Sequence, residues 1–243
     1  MITSSSAAQP IWMITLLVAL AGPARADEGS GAIKVAYLEG SATAAAAGSA
    51  PSPLAVGSPL HEGDTVLTGE AARLEIALAS GTLLRLGGGT RLELHTAPTA
   101  GGKFSARLAI GNLWAKVHKL LAGDEFKIET ENAVAGVRGT EFRVEVAKGK
   151  EDLVRVYEGA VEVADQGGAW KHRLEPGKEL SFRKGALPAG PKAFDPASEV
   201  NHPLMRWVRE RPTPSGKPGR VHEPAEQKER EKREKREKHK RSK

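Results

Sequence analysis

A chain of 243 residues without a cysteine excludes a disulfide framework, a thiolate nucleophile, a thiolate metal site and a lipidated N-terminal cysteine. Its formal charge of +6 resides in the tail: residues 220–243 hold 11 Lys and Arg against 6 Glu, whereas residues 27–219 hold 24 basic and 24 acidic residues. A neutral body argues against specific nucleic-acid binding, and 5% aromatics beside 27 Gly and 15 Pro favour strands and turns over helices.

Ile11 to Ala21 is an apolar run too short to cross a bilayer comfortably, which takes about 20 residues. With Ala24-Arg25-Ala26 after it, the run reads as a signal peptide over residues 1–26 and Asp27 as the mature start. The first ten residues carry no Lys or Arg, so only the terminal amine supplies the positive charge. Export to the periplasm or the extracellular space is the expectation.

Ala32–Tyr37 predicts a first strand, and Ser41–Pro59, rich in Ala, Ser, Gly and Pro, predicts a flexible loop. Three alternating apolar runs follow between Arg73 and His95, separated by Gly81 and by Gly87-Gly88-Gly89. The triple glycine lacks a following Lys-Ser or Lys-Thr and opens a strand, so it reads as a turn and not as a phosphate loop. Thr96–Lys103 predicts a loop. Arg107–Ile110 and Leu113–Val117 predict two strands joined at Gly111-Asn112, a hairpin dipeptide. Phe126, Ile128 and Thr130 alternate with charged residues, and further short strands are expected at 153–157, 161–163, 171–174 and 180–182. This spacing predicts an all-β sandwich, roll or short solenoid of antiparallel-rich strands over residues 27–184.

Residues 185–212 differ in kind. Asp195-Pro196 signals a helix start, and Leu204, Trp207 and Val208 form one apolar face of a short helix that is expected to pack on the β domain. Residues 213–243 read as a linker and a charged tail. Five Glu-to-base pairs at i, i+4 from Glu226→Arg230 to Glu237→Arg241 contribute about 0.2–0.5 kcal/mol each, enough for a disordered or fluctuating helix only. Arg230, Arg233, Lys235, Arg236, Lys238, Lys240 and Arg241 make this tail a candidate contact for anionic polymers.

The stretch Val134–Val146 reads as a backbone corner feeding a strand. Gly136 and Gly139 bracket Val137 and Arg138, and Phe142, Val144 and Val146 alternate with Arg143 and Glu145. Val137, Arg138, Gly139, Thr140, Glu141, Phe142, Glu158 and Gly159 are the candidate structural motif. Arg138 is expected inside the domain, held by Glu158 or Glu141, so that Arg138→Ala lowers the melting temperature markedly.

Four segments in order resemble the FecR domain family: Gly63–Gly69, Ala77–Leu86 around Ser80-Gly81, the signature Thr130-Glu-Asn-Ala-Val-Ala-Gly-Val-Arg-Gly-Thr-Glu-Phe142, and Val156-Tyr-Glu-Gly-Ala-Val-Glu-Val163. Glu175-Pro-Gly-Lys178 resembles its closing turn, and the similarity spans residues 30–183. Glu131 stands where a proline is usual, and Ala79 where an aspartate commonly precedes Ser-Gly. The resemblance is to the extracytoplasmic β domain, without the sigma-binding segment or membrane span of the regulators that give the family its name. It implies a non-catalytic binding or scaffold module of the cell envelope, with an envelope protein or cell-wall polymer as partner. The alternative is a signalling module working with a separate membrane partner. No cofactor or metal is expected, since the seven histidines are scattered without ligand spacing, and no catalytic residue stands out.

Overall fold

The computed structural model describes residues 33–96, 102–121 and 123–211. The expected signal peptide, most of the Thr96–Lys103 loop and the charged tail lie outside the described residues.

The described residues form sixteen strands in order. They are β1 (Ile33–Glu39), β2 (Ala42–Ala45), β3 (Ser52–Pro53), β4 (Thr65–Thr68), β5 (Arg73–Leu78), β6 (Leu83–Leu86), β7 (Arg91–Thr96) and β8 (Lys103–Lys116). Then come β9 (Glu125–Glu129), β10 (Ala133–Val137), β11 (Glu141–Val146), β12 (Asp152–Glu158), β13 (Val161–Asp165), β14 (Lys171–Leu174), β15 (Lys178–Phe182) and β16 (Lys192–Ala193). Two layers share the long strand β8. The first runs β1-β5-β6-β8-β11-β12-β15-β16 and is antiparallel throughout. The second runs β3-β2-β4-β7-β8-β9-β10-β13-β14, where only β8 and β9 are parallel. Alternate residues of both layers, among them Leu74, Leu84, Leu113, Phe142 and Val154 from the first and Leu92, Phe104, Ile128, Ala135 and Val163 from the second, form one buried apolar cluster. The alternating runs place these side chains inward because successive Cβ atoms point to opposite faces of a sheet.

Two expectations are corrected here. Gly111-Asn112 is a bend inside β8 and not a hairpin turn. Lys103–Arg107 pair with β9 and Ser105–Ile110 with β7, whereas Gly111–Lys116 pair with β11 and Leu113–Lys116 with β6. The two halves have different neighbours, so they continue in one direction from layer to layer. Gly111 has φ 106°, and a Cβ there would lie 2.4 Å from Thr90 Oγ1, so glycine is required at the crossing. The Ser41–Pro59 stretch is also partly sheet: β2 pairs with β4 and β3 with β2. Alanine has low strand propensity, but pairing to β4 and burial of Ala42 override it.

The C-terminal segment begins as expected at Asp195, whose carboxylate accepts from the Ala197 amide at 2.9 Å. What it caps is a 3-10 helix, Pro196–Asn201, and the α-helix α1 (Pro203–Glu210) starts afresh one residue later. Pro203 sets that boundary, because it disfavours helical backbone at His202, which is extended at φ −70° and ψ 122°.

Candidate functional site

On the outer face of the first layer, seven side chains stand in register across seven strands. Tyr37 opposes Glu75, Glu75 opposes Arg85, and Arg85 opposes Trp114. Trp114 in turn opposes Arg143, Arg143 opposes Arg155, and Arg155 opposes Glu179. Such a row would normally face water. Here Arg85, Trp114 and Arg143 are at most 1% exposed, because the 3-10 helix and α1 lie over them.

Arg143 and Arg155 are like charges placed directly opposite each other, which by itself is destabilising. Glu199, from the 3-10 helix, resolves this. Its Oε1 accepts from Arg143 Nη2 at 2.6 Å and from Arg155 Nη1 at 2.5 Å, and its Oε2 accepts from the Tyr157 hydroxyl. Arg155 Nε donates to Glu179 at 2.7 Å, and Arg143 Nη1 to Glu145 at 2.7 Å and to Asn112 Oδ1 at 3.0 Å. Burial pushes the Glu199 carboxyl up, but the Tyr157 hydroxyl and the two guanidinium groups outweigh it and hold it below its ordinary value. Burial, followed by the hydrogen bond to Glu199, raises Tyr157. His202 Nε2 lies 3.1 Å from Arg143 Nη1 and so accepts as a neutral ring. Burial first and Arg143 second lower its pKa.

The other end of the row is built on Arg85. Nε donates to Glu75 at 2.7 Å, and Nη1 donates to the Val208 carbonyl of α1 at 3.1 Å, satisfying one of the free acceptors of the last helical turn. The guanidinium lies 5.1 Å from the Trp114 ring centroid and 5.2 Å from that of Trp207, a cation between two indoles. Arg211 lies 4.1 Å from the Tyr37 ring. Leu204, Met205 and Trp207 pack with Trp114 as a second buried cluster, separate from the main core. Trp207 therefore packs on the β domain as its helical spacing predicts.

The corner at Val134–Val146 is arranged differently from the expectation. Arg138 is exposed and has no ion pair among the described residues. Glu141 instead accepts from Trp114 Nε1 at 3.3 Å and Lys116 Nζ at 3.1 Å, and Glu158 lies 3.8 Å from Lys116. The physical reason is position: Arg138 lies past the end of β10, where no described element covers it, whereas Arg143 sits within β11 under the C-terminal segment. Val137 and Phe142 are buried, and Thr140 Oγ1 donates to the Ala160 carbonyl at 2.9 Å. Gly159, at φ 79°, approaches so closely that a Cβ would fall 2.5 Å from the Gly139 carbonyl oxygen. Beside this corner is an open groove of about 910 Å³ lined by Lys127, Arg138 and Arg173 together with Asp124, Glu125 and Glu162. Among the described residues no group of His, Asp and Glu has the arrangement of a metal site. The tail cations lie outside the described residues.

Reading alternation as inside-apolar and outside-solvated conceals Arg85, Arg143, Arg155 and Glu199. A signal was present: Tyr37, Trp114 and Tyr157 share the outer face with these arginines, and the apolar face of the C-terminal helix needs a cover.

Residues 64–162, from just before β4 into β13, match the family model described as FecR protein. No curated protein sequence gives a significant match. Two solved structures, each titled as a candidate anti-sigma factor from Parabacteroides distasonis, align with TM-scores of 0.49. They are 20% and 17% identical, over 56% and 60% of this chain. The alignment takes in 62% of the first of those chains and 71% of the second, so this chain spans less than two thirds of the first.

Proposed function

We propose, for a chain that carries a FecR-family domain over residues 64–162, a non-catalytic role as a binding or scaffold module of the bacterial cell envelope. The observation that carries this reading is how the buried charges are used. Arg143, Arg155, Glu179, Glu199 and Tyr157 bond to one another and Arg85 to Glu75 and the end of α1, beneath a segment that buries Arg85 and Arg143 and so closes the cluster to a substrate. Arg85 Nη2, Arg143 Nε and His202 Nδ1 have no hydrogen-bond partner among the described residues. The run Ile11–Ala21 with Ala24-x-Ala26 supports export, and the partner is an envelope protein or a wall polymer. Cross-linking in the native envelope followed by mass spectrometry tests this. A single recurrent envelope partner is expected, and turnover of a substrate that one Glu or His substitution abolishes would replace the reading with an enzyme.

The family match also favours a second reading, a regulatory module that signals through a separate membrane protein. Recovery of a partner with a membrane span and a sigma-binding segment selects it. For the tail, deletion of residues 220–243 should weaken retention on heparin or lipopolysaccharide at low salt. Unchanged retention removes the polyanion-binding role of Arg230, Arg233, Lys235, Arg236, Lys238, Lys240 and Arg241.

A further inference from the structure

Residues 183–195 lead from β15 to the 3-10 helix, through the two-residue strand β16, without one buried residue. Beyond them the C-terminal segment is held by four buried side chains, Glu199, Leu204, Met205 and Trp207. None of the four belongs to the main core; the three apolar ones pack with Trp114 in the separate outer cluster. Lifting the segment therefore exposes the row and leaves the interior between the layers closed.

The chemistry of the contact also suits release. Docking strips water from Glu199, Arg143 and Arg155, and that desolvation offsets much of their attraction, so the buried ion pairs add little net hold. On release all three charges return to water together, and none is stranded in a dry site. The net hold comes from Leu204, Met205 and Trp207. What the face recognises is specific nonetheless: a carboxylate between two guanidinium groups, an indole stacked against a third, and the last turn of a helix whose carbonyl Arg85 caps.

We infer that the face built from Arg85, Trp114, Arg143 and Arg155 is a docking surface for a partner segment that carries a carboxylate on a 3-10 turn and, after a proline break, an indole on a short amphipathic helix. Residues 195–211 are the ligand of this kind that the chain holds in cis. The inference deepens the binding-module reading by naming the surface, and charge complementarity selects the occupant.

The test uses the full chain and a fluorescein-labelled peptide with the sequence of residues 195–211, followed by anisotropy. A Glu199→Gln, Trp207→Ala variant, whose own segment competes poorly, should bind the peptide at least about tenfold more tightly than the native chain. Adding Arg143→Ala should abolish that binding. Equal, weak binding by the native chain and a folded double variant overturns the proposal. A concentration-dependent dimer of the double variant that does not take up peptide assigns the face to a second copy and overturns the partner assignment. Should the variant fail to fold, hydrogen exchange on the native chain decides. The Arg206 and Arg211 amides should exchange far faster than those of Val144 and Val154, through opening of the segment alone. Equal protection means the segment opens only with the whole fold, and the proposal fails. None of these outcomes depends on identifying the envelope partner.

Discussion

The two faces of the first layer are both buried, but by different physics. On the inner face Leu84, Leu113, Phe142 and Val154 touch other apolar side chains, and transfer out of water stabilises them without directional demands. On the outer face the residues one step along the same strands, Arg85, Trp114, Arg143 and Arg155, are covered only because a separate segment brings a carboxylate, an indole and a helix end to meet them. The inner face is part of the fold, whereas the outer face is a fold with a ligand on it. Loss on the first should be paid in full by the whole domain, and loss on the second should be capped by the docking free energy of residues 195–211.

Phe142→Ala gives the largest expected effect. The ring is fully buried and meets Phe126 edge-on at 6.4 Å, so its removal should cost about 3–5 kcal/mol in urea unfolding, seen by far-ultraviolet circular dichroism. Arg143→Ala should cost less, about 1–3 kcal/mol. A fixed core would charge more for leaving Glu199 buried beside Arg155 alone, but the segment can lift and return the carboxylate to water. The distinguishing measurement is limited proteolysis: Arg143→Ala should accelerate cleavage within residues 194–202, between β16 and α1, while the strands stay protected. If Arg143→Ala destabilises the domain as much as Phe142→Ala and leaves the cleavage rate unchanged, the two faces are one core.

The same contrast explains what the sequence discloses. The inner face is legible residue by residue, since Leu74, Ile76, Leu84, Leu86, Phe126 and Ile128 announce themselves by period. Alternation identifies the apolar side of a strand, but it does not say whether the polar side meets water. Arg143 and Arg155 are paired in space to Glu199, 56 and 44 residues away, and no local pattern carries such a contact. Gly111-Asn112 misleads for a related reason. A hairpin and a layer crossing use the same glycine, and only the identity of the neighbouring strands separates them. At Ser41–Pro59 composition suggests a loop, while pairing with β4 comes from the tertiary structure.

Acid should act on the outer face alone. The His202 pKa in the docked state is depressed from the ordinary 6.5, so the segment's stability is full above that value and falls as pH drops below it toward the depressed one. Glu199 is depressed from 4.5, so its contribution is present above that value and is lost as pH falls through the lower one. Both windows favour release in acid. Other titratable groups around His202, namely Glu145, Glu199, Arg143 and Arg155, include two carboxylates whose attraction limits the depression. Indole fluorescence of Trp114 and Trp207 should shift to the red as pH falls below 6.5, with far-ultraviolet circular dichroism unchanged. His202→Gln should remove the upper window and leave the lower. A fluorescence change that always accompanies loss of the strand signal would assign the acid response to the whole domain.

The smallest effect is expected at Arg138, and it sharpens the contrast from a third position. Arg138 belongs to the same signature as Phe142, but it has neither the apolar surroundings of the inner face nor the cover of the outer one. An exposed cation without an ion pair has no desolvated partner to strand, so Arg138→Ala should change stability by no more than about 0.5 kcal/mol. Thermal melts of Arg138→Ala and Arg143→Ala, compared side by side, separate exposure from sequence motif. If Arg138→Ala proves the more destabilising, the corner holds a buried pairing after all. If instead Arg138→Ala melts like the native chain but loses an envelope partner, the groove formed with Lys127 and Arg173 is where that partner sits, and the signature serves recognition at Arg138 and packing at Phe142.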